Sequence, residues 1–228
     1  KEQTQAEQKA IIEANKAAAR QAEQDRKQEV RRAAAWAAQV WSLAKPCGGH
    51  EYLTRKGIQP HGLRILNSLD GLVLDGCDET NYWRLQQAVA EGHPALVVPM
   101  HDVNGSVNGI QFIYGRGHPR HKAGRDKDFW PTGMAMAGTF GLLGPMTRTG
   151  PLLICEGFAT AATLYEATGQ SCAYAFSANN VAKAGKLLRK AYSSLRLLFC
   201  ADDDYLTPGN PGVSAAAQAT AEIELATW

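Results

Sequence analysis

The chain has 228 residues, 45% of them apolar, and a formal net charge of +2. That suffices for a real core in one large or two small domains, but overall basicity is too small to hold nucleic acid, so such affinity must come from local clustering. The five cysteines (Cys47, Cys77, Cys155, Cys172, Cys200) are scattered and form no CxxC pair, which argues against a structural zinc site despite the ligand-like spacing of Cys47 and His50. No signal peptide and no apolar run long enough for a bilayer is present, so a cytoplasmic, reduced protein is expected. The chain starts at Lys1 rather than Met and reads as a fragment.

Residues 1–45 lack Gly and Pro and are rich in Ala, Gln, Glu, Lys and Arg, a strong helix composition. Up to about residue 30 large apolar residues are few, so this part is either a solvated helix or frayed. From Ala33 the pattern sharpens: Ala33, Trp36, Ala37, Val40, Trp41 and Ala44 follow helical spacing and should dock two tryptophans on a core. Pro46 and Gly48-Gly49 end the helix. It serves either as a linker or partner helix or packs on its own domain.

Residues 46–150 read as a small α+β subdomain. "ALVVPMHDVNGSVNGIQFIYG" holds two β-rich runs around Asn104-Gly105, a hairpin signal. "RGHPRHKAGRDKDFWPTG" follows, with Arg116, Arg120, Lys122, Arg125 and Lys127 set against Asp126 before Asp128 is reached. This glycine-rich loop is either a solvated surface or a phosphate-binding segment.

Residues 151–228 alternate strand and helix: "PLLICEG", "FATAATLYEATG", "SCAYAFSANN", "VAKAGKLLRKAYS", "LRLLFCADDD" and "NPGVSAAAQATAEIELATW". This order predicts an α/β unit, a mostly parallel sheet with helices on both faces, and function at the carboxyl ends of its strands. Glu156 ends the first strand and Asp202, Asp203 and Asp204 end the third. If those strands are neighbours, as in a flavodoxin-like order, the acids converge. Such a cluster suits Mg²⁺ or Mn²⁺ bound with substrate phosphates; the plainer reading is that an aspartate caps the next helix. Asn179 and Asn180 follow the second strand on the same edge, either to contact substrate or to satisfy loop backbone.

"LLICEGFATAATLYEATG" followed by "LLFCADDD" resembles a Toprim domain, the catalytic module of bacterial primases, topoisomerases and some nucleases. "EGFATAATLYEATG" and "ADDD…GNPG" are most similar to primases of conjugative plasmids and phages, and "HEYLTRKGIQPHGLRIL", the hairpin, "KDFWPTG" and "GTFGLLG" extend the resemblance over roughly residues 45–228. The resemblance implies a Rossmann-like Toprim fold, with Glu156 as its glutamate, Asp202 and Asp204 as its D-x-D pair and Asp203 as an extra ligand or a negative neighbour. Lys127 falls where primases place a basic residue near nucleotide or template; Arg116, Lys122 and Arg125 match more loosely. The implied activity is metal-dependent synthesis of short RNA primers from nucleoside triphosphates on single-stranded DNA, with a helicase or other replication protein as a partner of the N-terminal helix.

Two departures from the family stand out. A Toprim sheet normally has a fourth strand after the third helix, whereas this chain stops at Trp228, inside or just after that helix. The expected sheet therefore lacks its last strand and leaves residues 195–201 or their neighbour as an edge. Nor is there an N-terminal zinc module. A Toprim nuclease and a non-catalytic DNA-binding or partner-docking module stay open beside the primase.

Overall fold

The computed structural model describes residues 5–146 and 150–228. Residues 1–4 of the expected helical segment, and residues 147–149 beside the expected junction at 150, lie outside the described residues. Helix α1 (Gln5–Leu43) is continuous for 39 residues, about 58 Å at 1.5 Å per residue. Residues 7–22 of it are exposed. Its last turns bury Ala33, Trp36, Ala37 and Val40, with Ala44 just beyond, as the helical spacing predicts. Trp36 donates its indole N–H to the Asp75 carbonyl at 2.9 Å, and Trp41 lies under the Arg64 guanidinium.

An antiparallel sheet follows in simple order: β1 (Lys45–Pro46), β2 (Arg64–Leu66), β3 (Ala95–His101), β4 (Val107–Ile113) and β5 (Lys127–Trp130). Asn104-Gly105 turns the β3–β4 hairpin, with Gly105 in the left-handed region. Short helices α2 (Glu51–Lys56), α3 (Glu79–Gln86) and α4 (Pro119–Lys122) fill the connections. One face of the sheet packs under α1 through Phe112, Tyr114 and Trp130. The other packs on the second sheet: Leu96, Val98 and Ile113 share a core with Leu153, Phe158 and Tyr174.

The second sheet comprises β6 (Gly141–Leu143), β7 (Leu152–Cys155), β8 (Cys172–Tyr174), β9 (Leu197–Phe199) and β10 (Ala226–Thr227), interleaved with α5 (Phe158–Thr168), α6 (Ala178–Ala191) and α7 (Pro211–Glu222). Its order is β10-β9-β7-β8-β6, with β6 antiparallel to β8 and the remaining pairs parallel. Helix α5 packs on the face shared with the first sheet, whereas α6 and α7 cover the other. The expected α/β layering is therefore present. No helix among the described residues is long and apolar enough to cross a membrane.

Two boundaries differ from the sequence expectation. Gly141–Leu143, assigned above to the α+β subdomain, pairs with β8 as the antiparallel edge of the second sheet. The bare edge expected after the third helix is also corrected: Ala226 and Thr227 pair in parallel with Leu197 and Leu198. Helix α7 ends at Glu222, and Leu225, at φ 53°, turns the chain back along β9. A two-residue strand is too short to leave a hydrophobic pattern, which is why it could not be read.

Candidate active site

Strands β7 and β9 are direct neighbours, with Ile154 opposite Phe199, and the Cys200 amide donates to the Ile154 carbonyl at 2.7 Å. Both strands therefore deliver the residues that follow them to one carboxyl edge. Glu156 stands half-buried there, its carboxyl held above the ordinary value by burial first and then by the charges of Asp202 and Asp204, with Lys127 opposing the shift. Glu156 and Asp202 line one small cavity at this edge, and Asp204 and Lys127, the latter from the first sheet, are near enough for their charges to act on Glu156.

The loop "ADDDYLTPGNPG" is built around Asn210. Its backbone takes φ 40°, a left-handed conformation that asparagine tolerates better than most residues. Its side-chain oxygen accepts from the Asp204 amide at 3.0 Å and its amide donates to the Asp203 carboxylate at 2.8 Å. Pro211 opens α7 where no amide donor is needed. The Gly212 amide then donates to the Asp204 carboxylate at 3.1 Å. Asp202 leans the other way and accepts from the Thr160 hydroxyl of α5 at 3.1 Å. The capping alternative thus describes Asp204, and Asn210 is itself the N-cap. Asp203 is exposed and meets Asn210.

The two asparagines after β8 part company. Asn179 is exposed at the start of α6. Asn180 is 3% exposed: it accepts from the Gly138 amide and donates to the carbonyls of Thr139 and Ala175. Its amide is fully used in holding the approach to β6 against α6. Of the two readings of Asn180, substrate contact and loop-backbone satisfaction, the structure shows the second: both amide hydrogens and the side-chain oxygen are engaged by backbone groups.

The basic segment also divides. Lys127, Arg116, Lys122 and Arg125 are exposed, with Arg116 also reaching Glu51. Arg120 is turned inward onto Asp128, its side chain 18% exposed, so its charge serves an internal ion pair rather than a ligand. Arg84 joins the same carboxylate from α3. Thr160, Asn210, Gly212 and Arg84 were not singled out in the sequence. Only "GNPG" carried a local signal, an Asn-Pro helix start; Arg84 acts across 44 residues of chain.

Glu156 supplies a test that needs no substrate. Its folded-state pKa lies above its unfolded one, so the folded chain holds more protons between the two, and stability falls as pH rises through that window. Glu156→Gln removes the half-buried charge and with it the repulsion from Asp202 and Asp204. It should melt higher than the parent protein near pH 8, with the difference shrinking towards pH 4, where the carboxyl is protonated in both states. A melting difference that does not change with pH would show that folding does not shift the Glu156 carboxyl.

The fold is that of a primase catalytic core. It is similar to the DnaG primase catalytic domain bound to ssDNA, with TM-score 0.52 and 16% identity over 86% of this chain and 66% of that one. It is also similar to the primase fragment of the bacteriophage T7 primase-helicase protein, with TM-score 0.51 and 14% identity over 82% and 66% of the two chains. In sequence the chain is 28% identical over 217 residues to DNA primase TraC of Escherichia coli. That likeness covers 92% of this chain but 17% of its relative's length. No family model matches.

Proposed function

We propose that the chain is the catalytic core of a DNA primase, which joins nucleoside triphosphates into short RNA primers on single-stranded DNA with the help of a divalent cation. The observation that carries this reading is the delivery of Glu156 and Asp202 to one carboxyl edge by the neighbouring strands β7 and β9, where both line one small cavity. Likeness in sequence to a primase, over nearly the whole of this chain, supports it.

The donor set fits a hard cation. Among the described residues no group of three His, Cys, Asp or Glu side chains stands ready to hold a metal ion. Mg²⁺ and Mn²⁺ do not require such a group: one or two carboxylates suffice, with water and substrate phosphates filling the other positions. Glu156 and Asp202 would hold such an ion, with Asp204 beside them. Bound there, the cation offsets the mutual repulsion of the acids and stabilises charge on the phosphoryl oxygens.

The remaining work falls to the chain's own side chains. Lys127 places a positive charge opposite the acids, where a triphosphate or template phosphate would lie. Thr160 fixes one Asp202 oxygen by donating its hydroxyl to it. Asn210 and Gly212 hold Asp204 at the start of α7. Phosphoryl transfer depends mainly on such positioning and on charge neutralisation. The exposed stretch of α1, residues 7–22, is the segment available to a helicase or another replication protein.

Incubation with labelled nucleoside triphosphates, single-stranded DNA and Mg²⁺ or Mn²⁺ tests the assignment on a product gel. New short oligonucleotides are expected. Metal-dependent shortening of the template without them would make the protein a nuclease, and neither product would make it a binding module.

A further inference from the structure

Among the described residues four non-glycine residues take a left-handed φ: His61, Phe176, Asn210 and Leu225. Asparagine tolerates it, and His61 and Leu225 lie in turns outside the apolar core. Phe176, at φ 67°, is the buried one, 7% exposed. A bulky side chain is strained in this region, and such strain persists only where the surroundings over-determine it.

The surroundings of Phe176 do so through its amide and its ring. The amide donates to the Glu156 carbonyl at 2.7 Å, one residue beyond the Ala175–Cys155 hydrogen bond that continues β8 along β7. With the amide held there, φ decides where the ring goes, and 67° seats it edge-on to Tyr174 and to Phe129 of β5. Its centroid lies 5.1 Å from that of Tyr174 and 6.4 Å from that of Phe129. Filling the space between the sheets does not require this conformation, because Phe158 and Tyr174 share the same core at ordinary backbone angles. Phe129 stands two residues along β5 from Lys127, so both side chains leave the same face of the first sheet, and the Lys127 charge acts on Glu156. One residue thus holds the main chain of Glu156 through its amide and the strand that carries Lys127 through its ring.

We propose that Phe176 is a positioning residue for the acid edge, fixing Glu156 against Lys127 across the gap between the two sheets. It touches no substrate and acts only through those two residues. The proposal rests on the primase reading, in which Glu156 helps to hold the cation and Lys127 faces the phosphates.

Mn²⁺ binding by the whole chain without nucleotide, read from the electron paramagnetic resonance of the free ion, tests it beside the product gel. Asp202→Asn marks the share of Mn²⁺ held at the acid edge. Phe176→Leu keeps an apolar side chain but loses the ring. It should weaken that share about 10-fold, as loss of an outer group that orients a ligand does, and lower synthesis by up to about 10²-fold, the scale for a displacement of about 1 Å. The loss of synthesis should shrink by about 2- to 150-fold when Lys127 is already Ala, the range for residues that act through one another. Phe129→Leu removes the other ring from an extended strand and should show the same coupling, which decides the matter where Phe176→Leu does not fold. Phe112→Leu, a ring 1% exposed in the core beneath α1, should lower the melting temperature and leave both readouts at parental values. Weaker Mn²⁺ binding by Phe176→Leu in a chain that makes no primers would uphold the positioning role and remove the primase reading alone. Parental Mn²⁺ affinity in folded Phe176→Leu, or losses of synthesis that simply multiply with those of Lys127→Ala, would overturn the proposal.

Discussion

Asp202→Asn should lower primer synthesis by at least about 10²–10³-fold, the scale for removing one preorganised electrostatic group from a reacting centre, while leaving the melting temperature almost unchanged. Asp202 lies beyond the end of β9, outside the apolar cores, and is only partly buried. Asparagine keeps its volume and an oxygen to accept from Thr160, so little packing is lost. What disappears is the charge. With it goes half of the carboxylate pair that neighbouring strands β7 and β9 deliver to one edge, and a cation bound by one or two carboxylates is sensitive to that loss. A product gel and a thermal melt on the same preparation decide the matter. Parental synthesis by Asp202→Asn would remove the carboxylates from the mechanism.

The acid edge was legible because a buried parallel strand writes itself as a short apolar run, and the residue after it must lie at the carboxyl edge. Glu156 directly follows "LLIC" and Asp202 comes two residues after "LLFC", so both fall at that edge given a β8-β7-β9 order. The basic segment was less legible because charge in a sequence carries no direction. Arg120 and Lys127 read alike, yet β5 sends Lys127 towards Glu156, while Asp128, one residue on, gathers Arg120 to the opposite face. Asn180 was ambiguous for a related reason. Its use of three backbone partners depends on where the approach to β6 passes, and neither "SANN" nor "GTFGLLG" states that alone. Likewise β10 is fixed by a tertiary return along β9 and not by any pattern of its own.

Gly212→Ala should damage both stability and synthesis, although helix propensity alone favours the change by up to about 1 kcal/mol. A Cβ at Gly212 would fall inside van der Waals contact of the Asp202 carbonyl oxygen, with the Asp202 carbonyl carbon 3.0 Å away and its amide nitrogen 3.2 Å away. These are backbone atoms, so no side chain can rotate out of the way. The first turn of α7 must lift from the acid loop, or the loop must move. Overpacking of this kind costs about 1–3 kcal/mol, and each kcal/mol lowers the melting temperature of a chain this size by about 2–4 °C. Movement of the loop also carries Asp204, which Gly212 holds through its amide; a displacement of about 1 Å in a catalytic group can cost on the order of 10²-fold in rate. Gly209→Ala is the control. Gly209 sits at φ 81° with nothing near its missing Cβ, so alanine there strains the backbone by about 1–2 kcal/mol without pressing on the acids. The expected contrast is a synthesis defect much larger in Gly212→Ala than in Gly209→Ala at comparable loss of melting temperature. Equal defects in the two variants would mean that α7 does not set the position of Asp202 and Asp204.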